Sequence, residues 1–209
     1  MEMTGITTWI ILIVIVILAL ALRRYVSNQK ITVKQIVFVG IMSALGTALA
    51  IVSFVPIGPG IHIDFSHIGT FIVAIALGPF YGMMTGALIG IYPMTVFGNP
   101  LVIIGKALTG LFIGLLIQKA RLVIGVESGK KEKYLRIVPT TIVGWFPEAL
   151  FTFVTLGIIG IPTLFPMAVV QSILVKGAAE IVLLGILCEV LFASKALQHA
   201  MGSLRGNQE

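Results

Sequence analysis

Seven apolar runs, most of them close to the length that crosses a bilayer as a helix, constrain this chain more than any motif in it. They are Ile6 to Leu22, Ile36 to Val55, Ile68 to Leu77, Tyr81 to Phe97, Leu101 to Ile117, Ile137 to Gly160 and Met167 to Ala193. Gly78-Pro79, Gly98-Asn99-Pro100 and the Ile161–Pro166 break punctuate them as turns. Only 11% of the 209 residues are charged and 58% are hydrophobic, too little polar surface to cover a globule in water. The pattern predicts an all-α membrane protein of six core helices plus one additional N-terminal transmembrane helix. Residues 1–30 form the anchor helix and a basic linker, 31–194 the membrane domain and 195–209 a polar tail. The single cysteine, Cys188, excludes an intramolecular disulfide.

The net charge of +6 would suit nucleic acid, but its distribution points to topology instead. Arg23, Arg24, Lys30 and Lys34 follow the first run. Lys119, Arg121, Lys130, Lys131, Lys133 and Arg136 fill the hydrophilic stretch Gln118 to Arg136, and Lys195 and Arg205 lie in the tail. If every run spans, all of these fall on one side, and the opposite connections carry no Lys or Arg. Basic residues stay in the cytoplasm. The expectation is a multi-pass plasma-membrane protein, N-terminus outside and C-terminus cytoplasmic, with a lipid bilayer and no nucleic acid as its surroundings. Ala19-Leu20-Ala21 has the small residues of a signal-peptide cleavage site. Basic residues follow that run rather than precede it, the reverse of the secretory order, so a retained anchor is expected.

Lys106, Glu148, Lys176 and Glu180 lie well inside apolar runs. An unpaired charge at such depth costs at least about 3 kcal/mol, so each should face the bundle interior and find a partner. Lys176 and Glu180 are one helical turn apart and can pair directly. Glu148 and Lys106 would complete a neutral cluster of four. Such a cluster either locks helix register or forms the wall of a polar pocket. Asn99, Thr152 and Gln171 fall at comparable depth and could add hydrogen bonds. Trp145 or Phe146 could stack on a ring.

The stretch Pro56 to Gly69, "PIGPGIHIDFSHIG", is bent by Gly and Pro yet carries an acid and two imidazoles between two apolar runs. His62, Asp64 and His67 offer donors that borderline metals accept, but an H-x-D-x-x-H loop is weakly specific. Asp64 and Ser66 are better placed to cap the helix that follows, so neither metal nor cofactor is expected. No Walker A loop, H-E-x-x-H or G-x-S-x-G occurs, so no recognisable ATPase, zinc protease or serine hydrolase motif is present. Small residues recur every fourth position in three runs: Gly40, Ala44 and Ala48; Gly82, Gly86 and Gly90; Gly110 and Gly114. In lipid such stripes let helices approach closely, inside a bundle or against a partner.

"IDFSHIGTFIVAIALGPFYGMMTGALIG", Ile63 to Gly90, resembles the segment after the first core helix in S components of energy-coupling-factor (ECF) vitamin transporters. "GKALTGLFIGLL", Gly105 to Leu116, is similar to their fourth helix, and "GIMSALGTALA", Gly40 to Ala50, to their first. The likeness runs from about Thr32 to Ala193 and is closest to the riboflavin type. The extra N-terminal helix departs from it, and Met1-Glu2-Met3 lacks the histidine that opens nickel- and cobalt-type members. The resemblance implies a six-helix bundle that binds a vitamin-sized molecule near its outer face under the first external loop. Riboflavin is the leading substrate. It also implies a transmembrane coupling subunit and two cytosolic ATPases as partners, the former docked on Gly40, Ala44 and Ala48. Asp64, Ser66, His67, Asn99, Lys106, Glu148, Thr152, Gln171, Lys176 and Glu180 are the expected substrate-binding set. No enzymatic activity is expected. A self-sufficient carrier or channel, and a small intramembrane enzyme working on lipid with Glu148, Lys176 and Glu180, are the alternatives.

The charge distribution sets a test of orientation. A cysteine placed at Gly129 should be protected from an impermeant thiol reagent in intact cells and labelled once the membrane is opened. Labelling from outside would reverse the topology.

Overall fold

A computed structural model describes residues 31–53, 56–58, 61–118, 136–161 and 164–194, with only the backbone for 56–58 and 61. The expected anchor helix, the lysine-rich part of the hydrophilic stretch and the polar tail lie outside the described residues. The described chain holds six α-helices. They are α1 (Val33–Val52), α2 (His67–Leu77), α3 (Pro79–Phe97), α4 (Leu101–Gln118), α5 (Ile137–Thr152) and α6 (Met167–Ala193). A small antiparallel hairpin, β1 (Pro56–Gly58) with β2 (Ile61–His62), bends the chain between α1 and α2. A π-helical segment, Phe153–Ile159, prolongs α5 and ends where Gly160, at φ 78°, donates its N–H to the Thr155 carbonyl at 2.8 Å.

Four of these stretches are long and apolar enough to cross a membrane: Val33–Val52, Pro79–Phe97, Leu101–Gln118 and Ile137–Ile159. The α6 helix has 27 residues, about 40 Å at 1.5 Å each, and carries Lys176, Glu180 and Glu189 within its span. The exception is α2. Its 11 residues cover about 16 Å, roughly half a bilayer, and every one of them is buried. It fills the middle of the bundle, where Phe71, Val73, Ala74 and Ile75 form the core with Ile113, Ile137, Leu184 and Phe192. The turn that ends it, Gly78 at φ 94°, packs against the Gln118 side chain at the far end of α4. One end of α2 therefore reaches the end of the bundle. The shortfall lies at the other end, where residues 63–66 descend into the bundle.

Small residues explain how closely the helices pack. The most extensive contact is between α3 and α4. A Cβ at Gly82 would sit 2.7 Å from the Gly110 carbonyl oxygen, and one at Gly86 would collide with the Lys106 carbonyl. Gly114 and Gly90 meet Pro79 and Ile103 in the same way. These two stripes are internal packing. The α1 stripe is not. That helix buries Gln35, Val39, Ser43, Gly46 and Ala50 and leaves Gly40, Ala44 and Ala48 exposed on another face. A Cβ on Gly40 meets nothing within 4 Å.

Two substitutions separate these roles. Gly86→Ala should lower the melting temperature of the purified protein, at a cost of about 1–3 kcal/mol for overpacking. Gly40→Ala should leave it unchanged or raised, because alanine favours helix over glycine. Equal tolerance at both positions would contradict the packing described.

Candidate functional site: a charged, aromatic-walled cavity

The short α2 determines which side chains meet. Because the chain enters α2 deep inside the bundle, Asp64, Ser66 and His67 arrive at the level of Lys106, about five residues into α4. Gly46 on α1 makes room for them, since a Cβ there would lie 2.9 Å from the Ser66 carbonyl oxygen. The Lys106 ammonium, on a side chain only 3% exposed, donates to Asp64 Oδ2 at 2.8 Å and to Ser66 Oγ at 2.7 Å. It lies 3.3 Å from His67 Nδ1. An ammonium has three donors and no acceptor, so Nδ1 must accept. His67 is then the neutral tautomer protonated on Nε2, which donates to Glu148 Oε2 at 3.0 Å. The Thr109 hydroxyl donates to the same oxygen.

A second ion pair closes the ring from the other side. Lys176 and Glu180, one turn apart on α6, meet at 3.0 Å. Glu180 Oε1 accepts the Asp64 backbone N–H at 2.7 Å. Loop residue Asp64 is thus tied to α4 by its side chain and to α6 by its backbone. Its carboxyl feels opposing effects. Burial alone would raise its pKa, but the Lys106 ammonium and the hydrogen bonds from Lys106 and Ser66 outweigh it and hold the group well below the usual carboxylate range. A depressed carboxyl contributes stability in full above its unfolded value, near 3.8, and loses it only as the pH falls below. The tie is therefore intact throughout the neutral and mildly acidic range.

Beneath this network lies a cavity of about 300 Å³, at the low end of the range that holds small ligands. Its polar wall includes Asp64, His67, Asn99, Lys106, Glu148, Thr152, Lys176 and Glu180, and its apolar wall includes Phe97, Trp145, Phe151 and Phe165. Helical spacing puts Trp145, Glu148, Thr152 and Thr155 on one face of α5 and its π extension. Gly105 leaves space for Glu148, whose Cγ lies 3.2 Å from where a Cβ would stand, and Gly177 receives the Trp145 ring edge. The cavity lies at the end of the bundle marked by the hairpin, the Gly98-Asn99-Pro100 turn and Phe165.

Several expectations need correction. Lys106 does not pair with Glu148, because the descent of the loop puts Asp64 on the ammonium and His67 between the two. The cluster is larger than four, with three carboxylates facing two ammonium groups. Ser66 does not cap α2 with its side chain, since its hydroxyl accepts from Lys106. Asp64 Oδ1 instead accepts the Ser66 N–H at 2.9 Å, an Asx turn. Asn99 caps α4, accepting the Leu101 N–H at 3.0 Å. Gln171 is exposed and does not line the cavity. Phe146 is 63% exposed, so of the two candidate aromatics Trp145 is the one at the cavity. Asp64 and His67 both contact the Lys106 ammonium. Thr109 joins the site without a sequence signal beyond its position one turn from Lys106 on the same helix. Phe97, Phe151 and Phe165 were not distinguishable from lipid-facing aromatics.

A polytopic helical bundle with a ligand-sized cavity under a polar loop is a membrane protein built to hold a small molecule. A family model for the substrate-specific component of ECF transporters matches residues 34–192, and the chain belongs to that family. No curated protein and no solved structure matches it.

Proposed function

We propose that this chain captures a small water-soluble vitamin at the outer face of the plasma membrane. It releases the vitamin inside with a transmembrane coupling subunit and two cytosolic ATPases. The observation that carries this reading is the cavity under the Asp64 loop. It combines four aromatic side chains with a network of fixed charges, and it lies toward the end of the bundle that the positive-inside rule assigns to the outside. Binding without enzymatic turnover is the role. The riboflavin expectation rests on the sequence resemblance alone.

The exposed face of α1 is the proposed dock for the coupling subunit. Gly40, Ala44 and Ala48 make a smooth strip on which a partner helix can come close, and a bulky side chain there would hold it off. Residues 1–30, read as an N-out anchor helix and linker, precede this face. The tail at 195–209 is read as cytoplasmic.

Ala44→Trp and Ala48→Trp should leave the melting temperature and the content of bound small molecule within the scatter of the unaltered protein. They should abolish co-purification with the coupling subunit and ATP-driven uptake. Intact pull-down and uptake in both variants would refute the dock, and uptake by the lone chain in liposomes would refute the binding-subunit role.

A further inference from the structure

Among the described residues the cavity's charges do not balance. Asp64, Glu148 and Glu180 are acidic, Lys106 and Lys176 are the two ammonium groups, and the imidazoles of His62 and His67 complete the ionisable lining. His67 cannot supply the missing charge without placing a second donor 3.3 Å from the Lys106 ammonium. Asp64 is paired with Lys106 at 2.8 Å and Glu180 with Lys176 at 3.0 Å. Glu148 has no ammonium within hydrogen-bond distance; its partners are an imidazole and a threonine. Thr109 and His67 Nε2 both donate to its Oε2. Its Oε1 has no hydrogen bond among the described residues. Nor is that oxygen among the sealed polar atoms that lack a partner, so on a side chain 13% exposed it opens to the cavity that Glu148 lines. One turn away on the same face stands Trp145, an aromatic wall beside a carboxylate that no ammonium contacts directly.

We infer that this site takes an organic monocation with a flat ring, and that Glu148 Oε1 is its counter-ion and sets its specificity. The inference rests on reading the chain as a binding subunit. An unpaired carboxylate within a membrane-spanning helix is costly. A bound cation removes that cost, while an anion adds to it and an uncharged molecule leaves it. Trp145 adds a face that attracts a cation and stacks a ring. Phe151 and Phe165 supply further apolar wall. Lys176 does not oppose a cation, because Glu180 stands against it.

The test uses the full-length protein in detergent, stripped of bound molecules, and three vitamins as probes. Thiamin is a ring-bearing monocation, riboflavin is uncharged and biotin is an anion at pH 7. Thiamin should bind at least tenfold more tightly than either of the others. Glu148→Gln should abolish that preference while keeping the fold, since an amide oxygen still accepts from Thr109 and His67. Equal or tighter binding of riboflavin or biotin, or a thiamin preference that survives Glu148→Gln, would overturn the inference. If the variant does not fold, the preference of the unaltered protein decides alone. If none of the three binds, the charge of the molecule released on denaturing freshly purified protein decides. A cation supports the inference, and an uncharged or anionic molecule overturns it while leaving the binding role standing. Release of no molecule, with no probe bound, would overturn the binding role and the inference together.

Discussion

A single buried ammonium organises the cavity end of the bundle. Lys106 sits inside a membrane-spanning helix with 3% of its surface exposed, a position that is tolerable only if its donors are used. Asp64, Ser66 and His67 use them, and all three come from one short segment entering α2. The loop is thereby fixed over the cavity. His67 is oriented so that its Nε2–H reaches Glu148 on α5. The Asp64 backbone is set where Glu180 on α6 can accept from it. Three helices and the loop share one polar network, and the ligand-sized space lies directly beneath.

Two features of the backbone make that arrangement possible. Glycines at 82, 86, 110 and 114 bring α3 against α4 until backbone touches backbone, which fixes where the Lys106 turn stands. Without a hydrophobic driving force between helices in lipid, such packing is what holds a bundle together. The second feature is the shortness of α2. A helix spanning the whole bilayer would have put Asp64 and His67 at the surface, in water, where exposed ion pairs are worth little. At 11 buried residues it draws them into the bundle and converts a loop into the roof of a cavity.

Much of this was legible in the apolar pattern, and the failures have physical reasons. The core helices were visible because each is a nearly uninterrupted apolar run. The Lys176–Glu180 pair was visible because partners one turn apart on a helix are local. Lys106 and Glu148 were recognisable as interior residues by the cost of leaving them in lipid. Their partners were not, because Asp64 lies 42 residues from Lys106 and His67 lies 81 from Glu148, and such contacts depend on how deep the loop sits. Periodicity alone could not separate the α1 stripe from the α3 and α4 stripes. All three have glycine or alanine every fourth residue, and only the surroundings show which face is covered. Gln171 lies at the depth of the cavity but on an exposed face of α6, and depth says nothing about the direction of a side chain around a helix.

The Asp64–Lys106 tie is the centre of this account, and a double-mutant cycle measures it. Thermal unfolding of the unaltered protein, Lys106→Met, Asp64→Asn and the double variant would give their coupling. Each single change should destabilise strongly, since it leaves a buried charge without its partner. The double change should cost less than the two together, with a coupling of at least about 1 kcal/mol. Simple additivity would mean that the two groups do not hold the loop to the bundle, and the roof over the cavity would need another explanation.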